Sequence, residues 1–298
     1  FLFWFFRQLF YGFVNQNQRI LFKEKILAKI LNLTSKKNLP ASYYFHNNWT
    51  VFKPLWTYEV EKLGIDVVLY FYSTNIFTLI ENGKNEDLFF NPWLFSRWKK
   101  ILVWNKTQEY YINKMTRIKA NVQKVGPIPF YSNNSQLKIN RFDDGPKILV
   151  FDVQPVKTSV LYSLAPYSDF YDLESAKQFL LDIKILANEI NATVYFKRKR
   201  EASIVSKNYL RLLSRLMKEE KWIEIDPDFN VFSLTELLNP NMSINRPFTS
   251  TAYVTDSYNI PSLYYDPSKK LDKSKYSFVE IELVNDYNKL KKWASKII

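Results

Sequence analysis

Residues 242–267 read MSINRPFTSTAYVTDSYNIPSLYYDP. The run Met242 to Asn245 is short and apolar, a proline and three hydroxyls follow it, and a helix-like stretch then leads into a second apolar run ending at Asp266-Pro267. Strand, turn, helix and strand in that order make a crossover unit. Across the chain nearly every strand is too apolar to have a solvated face, as in a parallel sheet buried on both sides.

The same order repeats upstream. KILVFDV (147–153) reads as a strand, LESAKQFLLDIKILANEI (173–190) as a helix, and ATVYFKRKR (192–200) as a strand that ends in four cations. SKNYLRLLSRLMKEE, KWIEIDP and FSLTELLNP continue as helix, strand and helix, and DYNKLKKWASKII closes the chain as an amphipathic helix. In the first half, helix-like stretches over about 1–14 and 19–32 precede the short strand ASYYFHNNW. VFKPLWTYEVEKLG then reads as a helix stopped by Gly64, and IDVVLYFYSTN as a buried strand. KKILVWN, KTQEYYINKM and NVQKVGP carry the alternation on to GPIPFYSNNSQ, whose turn formers mark a linker. The fold class is therefore α/β, in two Rossmann-like domains with a boundary near residues 127–145.

Composition limits the chemistry. The absence of cysteine excludes disulfides and thiolate metal sites, and a single histidine argues against zinc. Five glycines in 298 residues are too few for a glycine-rich loop to be the main phosphate device. Forty-two Lys and Arg against 29 Asp and Glu leave a charge of +13, which attracts polyanions, anionic membranes or phosphorylated small molecules. The opening FLFWFFRQLFYGF is too short to span a bilayer and lacks the marks of a signal peptide. It reads as a buried amphipathic helix, with peripheral contact to an anionic membrane as the other reading. The missing initial Met points to a chain that begins partway through a longer protein.

In open parallel sheets, ligands gather beyond the carboxyl ends of the strands. That rule selects Asp152 and Gln154 after KILVF, Lys197, Arg198, Lys199 and Arg200 at the end of ATVYF, and Arg246, Thr249, Ser250 and Thr251 after MSIN. Hydroxyls at a helix start either cap the helix or bind an anion, and both readings stand for Thr249 to Thr251. The cations read either as a solvated run or as partners of the same anion. His46, the lone imidazole, follows the first clear strand and is a candidate general base.

The ordered set FHNNW, KPLWTYEVEKLG, VGPIPF, ILVFDVQP, FKRKR, RPFTSTA and IPSLYYDP resembles bacterial surface-polysaccharide biosynthesis proteins of capsule and O-antigen clusters, with the two-domain glycosyltransferase architecture called GT-B. The resemblance covers about residues 40–270. It implies a nucleotide-sugar donor held by a C-terminal domain (145–298) and a glycan or glycolipid acceptor on an N-terminal domain (1–135). That N-terminal domain reads as incomplete, since the type should hold more strands before residue 40. Implied donor-phosphate contacts are Lys197, Arg198, Arg200, Thr249, Ser250 and Thr251, with Asp152 and Gln154 in the first donor-side loop. The expectation is transfer without a metal or other cofactor, in the cytoplasm or at the inner face of the membrane. The alternative is a non-catalytic polyanion or nucleic-acid-binding α/β protein. It predicts exposed aromatics among the cations, whereas here most aromatics fall in apolar strands and helices, so no nucleic-acid partner is expected. A third reading is a degenerate transferase fragment that binds donor without turnover.

Overall fold

The computed structural model describes residues 2–46, 53–74, 92–128, 145–155, 172–198, 205–219, 221–271, 274 and 279–298. The chain divides into two compact units, Phe1–Tyr72 with Phe89–Val125 and Ser73–Leu88 with Gly126–Ile298. Most of the expected linker, residues 129–144, lies outside the described residues.

The first unit opens with helices α1 (Leu2–Val14) and α2 (Gln16–Leu33), followed by β1 (Ser42–His46), α3 (Trp56–Lys62), β2 (Asp66–Tyr70), β3 (Lys100–Val103), α4 (Lys106–Met115) and β4 (Asn121–Lys124). Its four strands are parallel and lie in chain order. Gly64 ends α3 as the sequence predicts. Its φ of +72° lies in the left-handed region, and the Gly64 and Ile65 N–H groups close back on the Glu61 and Val60 carbonyls at 2.9 and 3.1 Å. Asn105 caps α4 by accepting from the Gln108 N–H at 2.8 Å, and the Gln108 side chain accepts from the Trp104 N–H at 2.7 Å. The expectation of a buried N-terminal helix is corrected here: Phe3 is 83% exposed and Phe6 60%. The inner side of α1 packs on α2, where the Phe5 and Phe22 rings lie 5.8 Å apart. No helix among the described residues is long and apolar enough to cross a membrane.

The second unit contains β5 (Lys147–Phe151), α5 (Leu173–Glu189), β6 (Thr193–Lys197), α6 (Lys207–Leu216), β7 (Trp222–Ile225), α7 (Val231–Leu238), β8 (Met242–Asn245), α8 (Thr251–Ser257), β9 (Ser262–Tyr265), β10 (Glu282–Val284) and α9 (Tyr287–Ala294). Six parallel strands lie in the order β10-β9-β8-β5-β6-β7. The chain thus builds outward from β5 in one direction, returns, and builds outward from β8 in the other. Doubly wound nucleotide-binding folds have this layout. Burial explains the apolar strands: Ile148, Val150, Val194, Phe196 and Ile244 join the core beneath α5, α6 and α9, while Leu149, Phe151 and Tyr195 point to the other face, with Leu234 and Leu238 of α7. The C-terminal helix α9 follows β10 directly. It is seated on its own unit, with Leu290 and Ala294 in that core and Tyr287 donating to Glu189 at 2.8 Å.

Candidate functional site

The sheet reverses between β5 and β8, so the segments following these two strands flank the crevice in which such folds bind ligands. After β5 come Asp152, Val153, Gln154 and Pro155. After β8 come Arg246, Pro247, Phe248, Thr249 and Ser250. The register holds the two segments together, with Phe151 opposite Asn245 and the Arg246 N–H donating to the Phe151 carbonyl at 3.0 Å.

Beneath the crevice lies a charged network from which solvent is excluded. Arg246 and Asp152 are 0% and 1% exposed, with the guanidinium Nε 3.7 Å from the carboxylate. Arg246 also donates to the Ser175 hydroxyl at 2.9 Å and the Ser175 carbonyl at 3.2 Å, and it stacks 5.4 Å from the Phe179 ring centroid. The Tyr209 hydroxyl donates to the other carboxylate oxygen. Burial pushes the Asp152 carboxyl above its usual range, while Arg246, the Tyr209 hydrogen bond and the Val153 N–H work against that rise. The same burial, with Asp152 adding to it, raises the Tyr209 hydroxyl well above its ordinary value. This network ties β5, β8, α5 and α6 to one point under the sheet reversal.

Above it, the Pro247 to Ser250 turn is strained and tightly held. Phe248 takes a φ of +63°, a conformation that costs a bulky residue on the order of 1–3 kcal/mol. Its ring lies 5.7 Å from that of Tyr264, and its carbonyl accepts from the Thr74 hydroxyl at 3.1 Å. Thr74, a member of this same unit, also donates its N–H to the Ser250 hydroxyl at 3.0 Å. Thr249 donates to the Arg246 carbonyl at 2.9 Å, and Thr251 donates to Asn245 Oδ1 at 2.7 Å. Ser250 occupies the N-cap position of α8, yet its side chain makes no capping hydrogen bond. The three hydroxyls therefore tie the turn to its surroundings instead of capping the helix.

The remaining sequence-predicted residues divide by position. Gln154 is buried, and its amide nitrogen has no hydrogen-bond partner among the described residues. Ser250 and Thr251 are half-buried, whereas Thr249 is buried. Lys197 is buried at the end of β6, where it donates to the Pro227 carbonyl; burial holds its ammonium below the ordinary lysine range. Arg198 pairs with Glu224 of β7. These two cations thus find their partners on the β7 side, away from β8, while Lys199 and Arg200 lie outside the described residues. In the first unit, His46 ends β1 in an exposed position, with the Tyr72 ring 5.7 Å away edge-on and the Tyr70 ring at 6.3 Å. Its neighbours Asn47 and Asn48 lie outside the described residues.

Sequence reading picked out Arg246 only as a member of a set and passed over Thr74, Ser175 and Tyr209. A cation directly after a short buried strand was the available signal, because a buried charge requires a partner. Thr74 stands 176 residues from Ser250 and carries no local signal.

Several known proteins resemble the chain. Among solved structures, Methanocaldococcus jannaschii UDP-GlcNAc 2-epimerase in complex with UDP-GlcNAc and UDP is similar over 93% of this chain and 74% of its own, at 13% identity and TM-score 0.46. Arabidopsis thaliana UGT89C1 complexed with UDP-L-rhamnose is similar over 90% of this chain and 65% of its own, at 13% identity and TM-score 0.49. No curated protein matches the sequence. The family model for polysaccharide biosynthesis PFTS motif proteins matches residues 4–294, and the four letters of its name stand here as Pro247-Phe248-Thr249-Ser250, the strained turn at the sheet reversal. The chain belongs to this polysaccharide biosynthesis family.

Proposed function

We propose that the protein is a glycosyltransferase that moves a sugar from a nucleotide-activated donor onto a bacterial surface polysaccharide or lipopolysaccharide, of the capsule or O-antigen kind. The observation that carries this reading is the placement of the PFTS turn directly after β8, at the reversal of a doubly wound parallel sheet. In this reading residues 145–298 hold the donor and residues 1–135 receive a glycan or glycolipid acceptor. Gln154, Ser250 and Thr251 are half-buried or carry an unused donor, and they are assigned to the donor's phosphates. Arg200 is assigned to supply positive charge as the nucleoside diphosphate leaves, a role that needs no divalent ion, while Arg198 stays paired with Glu224 on the β7 side. Asp152 and Thr249 have their polar atoms turned inward onto Tyr209 and Arg246 and support the site from below, while Lys197 is held by the Pro227 carbonyl. His46 is assigned as the base that takes the acceptor hydroxyl's proton in an inverting transfer. The reaction is placed at the inner face of the cell membrane.

A thermal-shift series over nucleoside mono- and diphosphates and their sugars tests this reading. A ligand at about one hundred times its dissociation constant stabilises by about 2.7 kcal/mol, which raises the midpoint of a unit this size by roughly 5–10 °C. One nucleotide base should give that rise, and monovalent salt should weaken it only mildly. A rise produced only by single-stranded nucleic acid, falling steeply with salt, would replace the transferase with a polyanion-binding protein.

A further inference from the structure

We propose that α1 docks its aromatic face on an anionic phospholipid bilayer. The inference rests on the surface of the first unit and stands apart from the assignment of transferase activity. Leu2, Phe3, Phe6 and Phe10 are 69, 83, 60 and 64% exposed. At 3.6 residues per turn they fall within an arc of about 100° on one side of the helix. Phe5 lies outside that arc, about 110° round from its middle, packed on Phe22 of α2. Four large apolar side chains in a single stripe differ from the scattered exposed residues that any surface carries.

Charge selects the occupant. Helix α1 contains no acidic residue, and Arg7 stands exposed at the edge of the stripe. Over residues 1–40 there are seven Lys or Arg against one acid, Glu24. An aromatic ridge edged by Arg7 on a strongly basic segment matches a bilayer interface, in which rings enter the acyl boundary and cationic groups meet lipid phosphates. A stripe confined to one side of the helix seats α1 in the plane of the surface.

Flotation of the full chain with vesicles tests the proposal. The chain should float with phosphatidylglycerol–phosphatidylcholine vesicles and far less with phosphatidylcholine alone. The F3S/F6S/F10S triple variant should lower partitioning at least about thirtyfold with an unchanged melting curve. Arg7→Glu should lower it about fivefold, and only on the anionic vesicles. Should the triple variant fail to fold, F10C with an environment-sensitive dye replaces it, since the chain has no native cysteine to compete for the label. Its emission should shift blue on anionic vesicles and be quenched by lipids brominated in the acyl chain. Three results would overturn the proposal: no flotation of the native chain on either vesicle, equal flotation of the triple variant, or a concentration-dependent dimer that the triple variant abolishes. The last would assign the face to a second copy of the chain.

Discussion

Replacing Arg246 with methionine is expected to destabilise the protein by about 3–5 kcal/mol, because it leaves the Asp152 carboxylate buried and uncompensated. A loss of that size is a large share of the 5–15 kcal/mol that holds a typical domain folded. The pH dependence follows from the direction of the Asp152 shift. Burial already raises this carboxyl in the native state, and Arg246 is the first of the groups that oppose the rise. Without Arg246 the folded-state value climbs further above that of the unfolded chain. A group raised on folding contributes stability below its unfolded value and loses it as pH rises toward the folded one. The defect of Arg246→Met should therefore be smallest near pH 4 and grow toward neutrality. The double variant R246M/D152N, which keeps an acceptor for Tyr209, should recover much of the loss at pH 7. Denaturant melts of the two variants across pH check both statements. A pH-independent defect would mean that Arg246 acts through packing on Phe179 and not through charge.

Replacing His46 with alanine is expected to lower turnover by roughly a hundredfold or more while nucleotide binding stays intact. His46 is exposed at the end of β1, so the change should move stability by no more than about 0.5 kcal/mol. Among the described residues its ring contacts are the edge-on Tyr72 and the tilted Tyr70. Steady-state rates, read with the nucleotide dissociation constant and the melting midpoint, separate the roles. Unchanged turnover, or a loss that follows unfolding, would remove His46 as the base and leave the nucleotide site standing.

The fold was legible wherever burial leaves a local mark. The unbroken apolar runs at 148–151 and 194–196 read as two-faced strands and prove to be neighbouring interior strands of the six-stranded sheet. Gly64 and Asn105 mark helix ends by chemistry confined to four residues. Strand β10 escaped because three residues, Glu282 to Val284, are too few to show a period. The candidate site was legible as a location and less so as a set of contacts. The rule of strand ends located Asp152 and the PFTS turn, but the partners of a hydroxyl or a cation are decided by chain brought from elsewhere. Thus Ser250 meets Thr74 and Arg246 meets Ser175, while Lys197 and Arg198 turn toward β7. Helix α1 misled for a related reason: an amphipathic pattern gives the apolar face of a helix but not what that face meets.

Hydrogen–deuterium exchange of the full chain, with and without the nucleoside diphosphate that gives the largest thermal shift, tests the central claim most directly. If the crevice at the sheet reversal holds the donor, peptides covering residues 152–155 and 246–251 gain protection together, and Gln154→Ala weakens the effect without altering exchange in the free protein. Protection confined to other segments, with these two unchanged under saturating nucleotide, would contradict it.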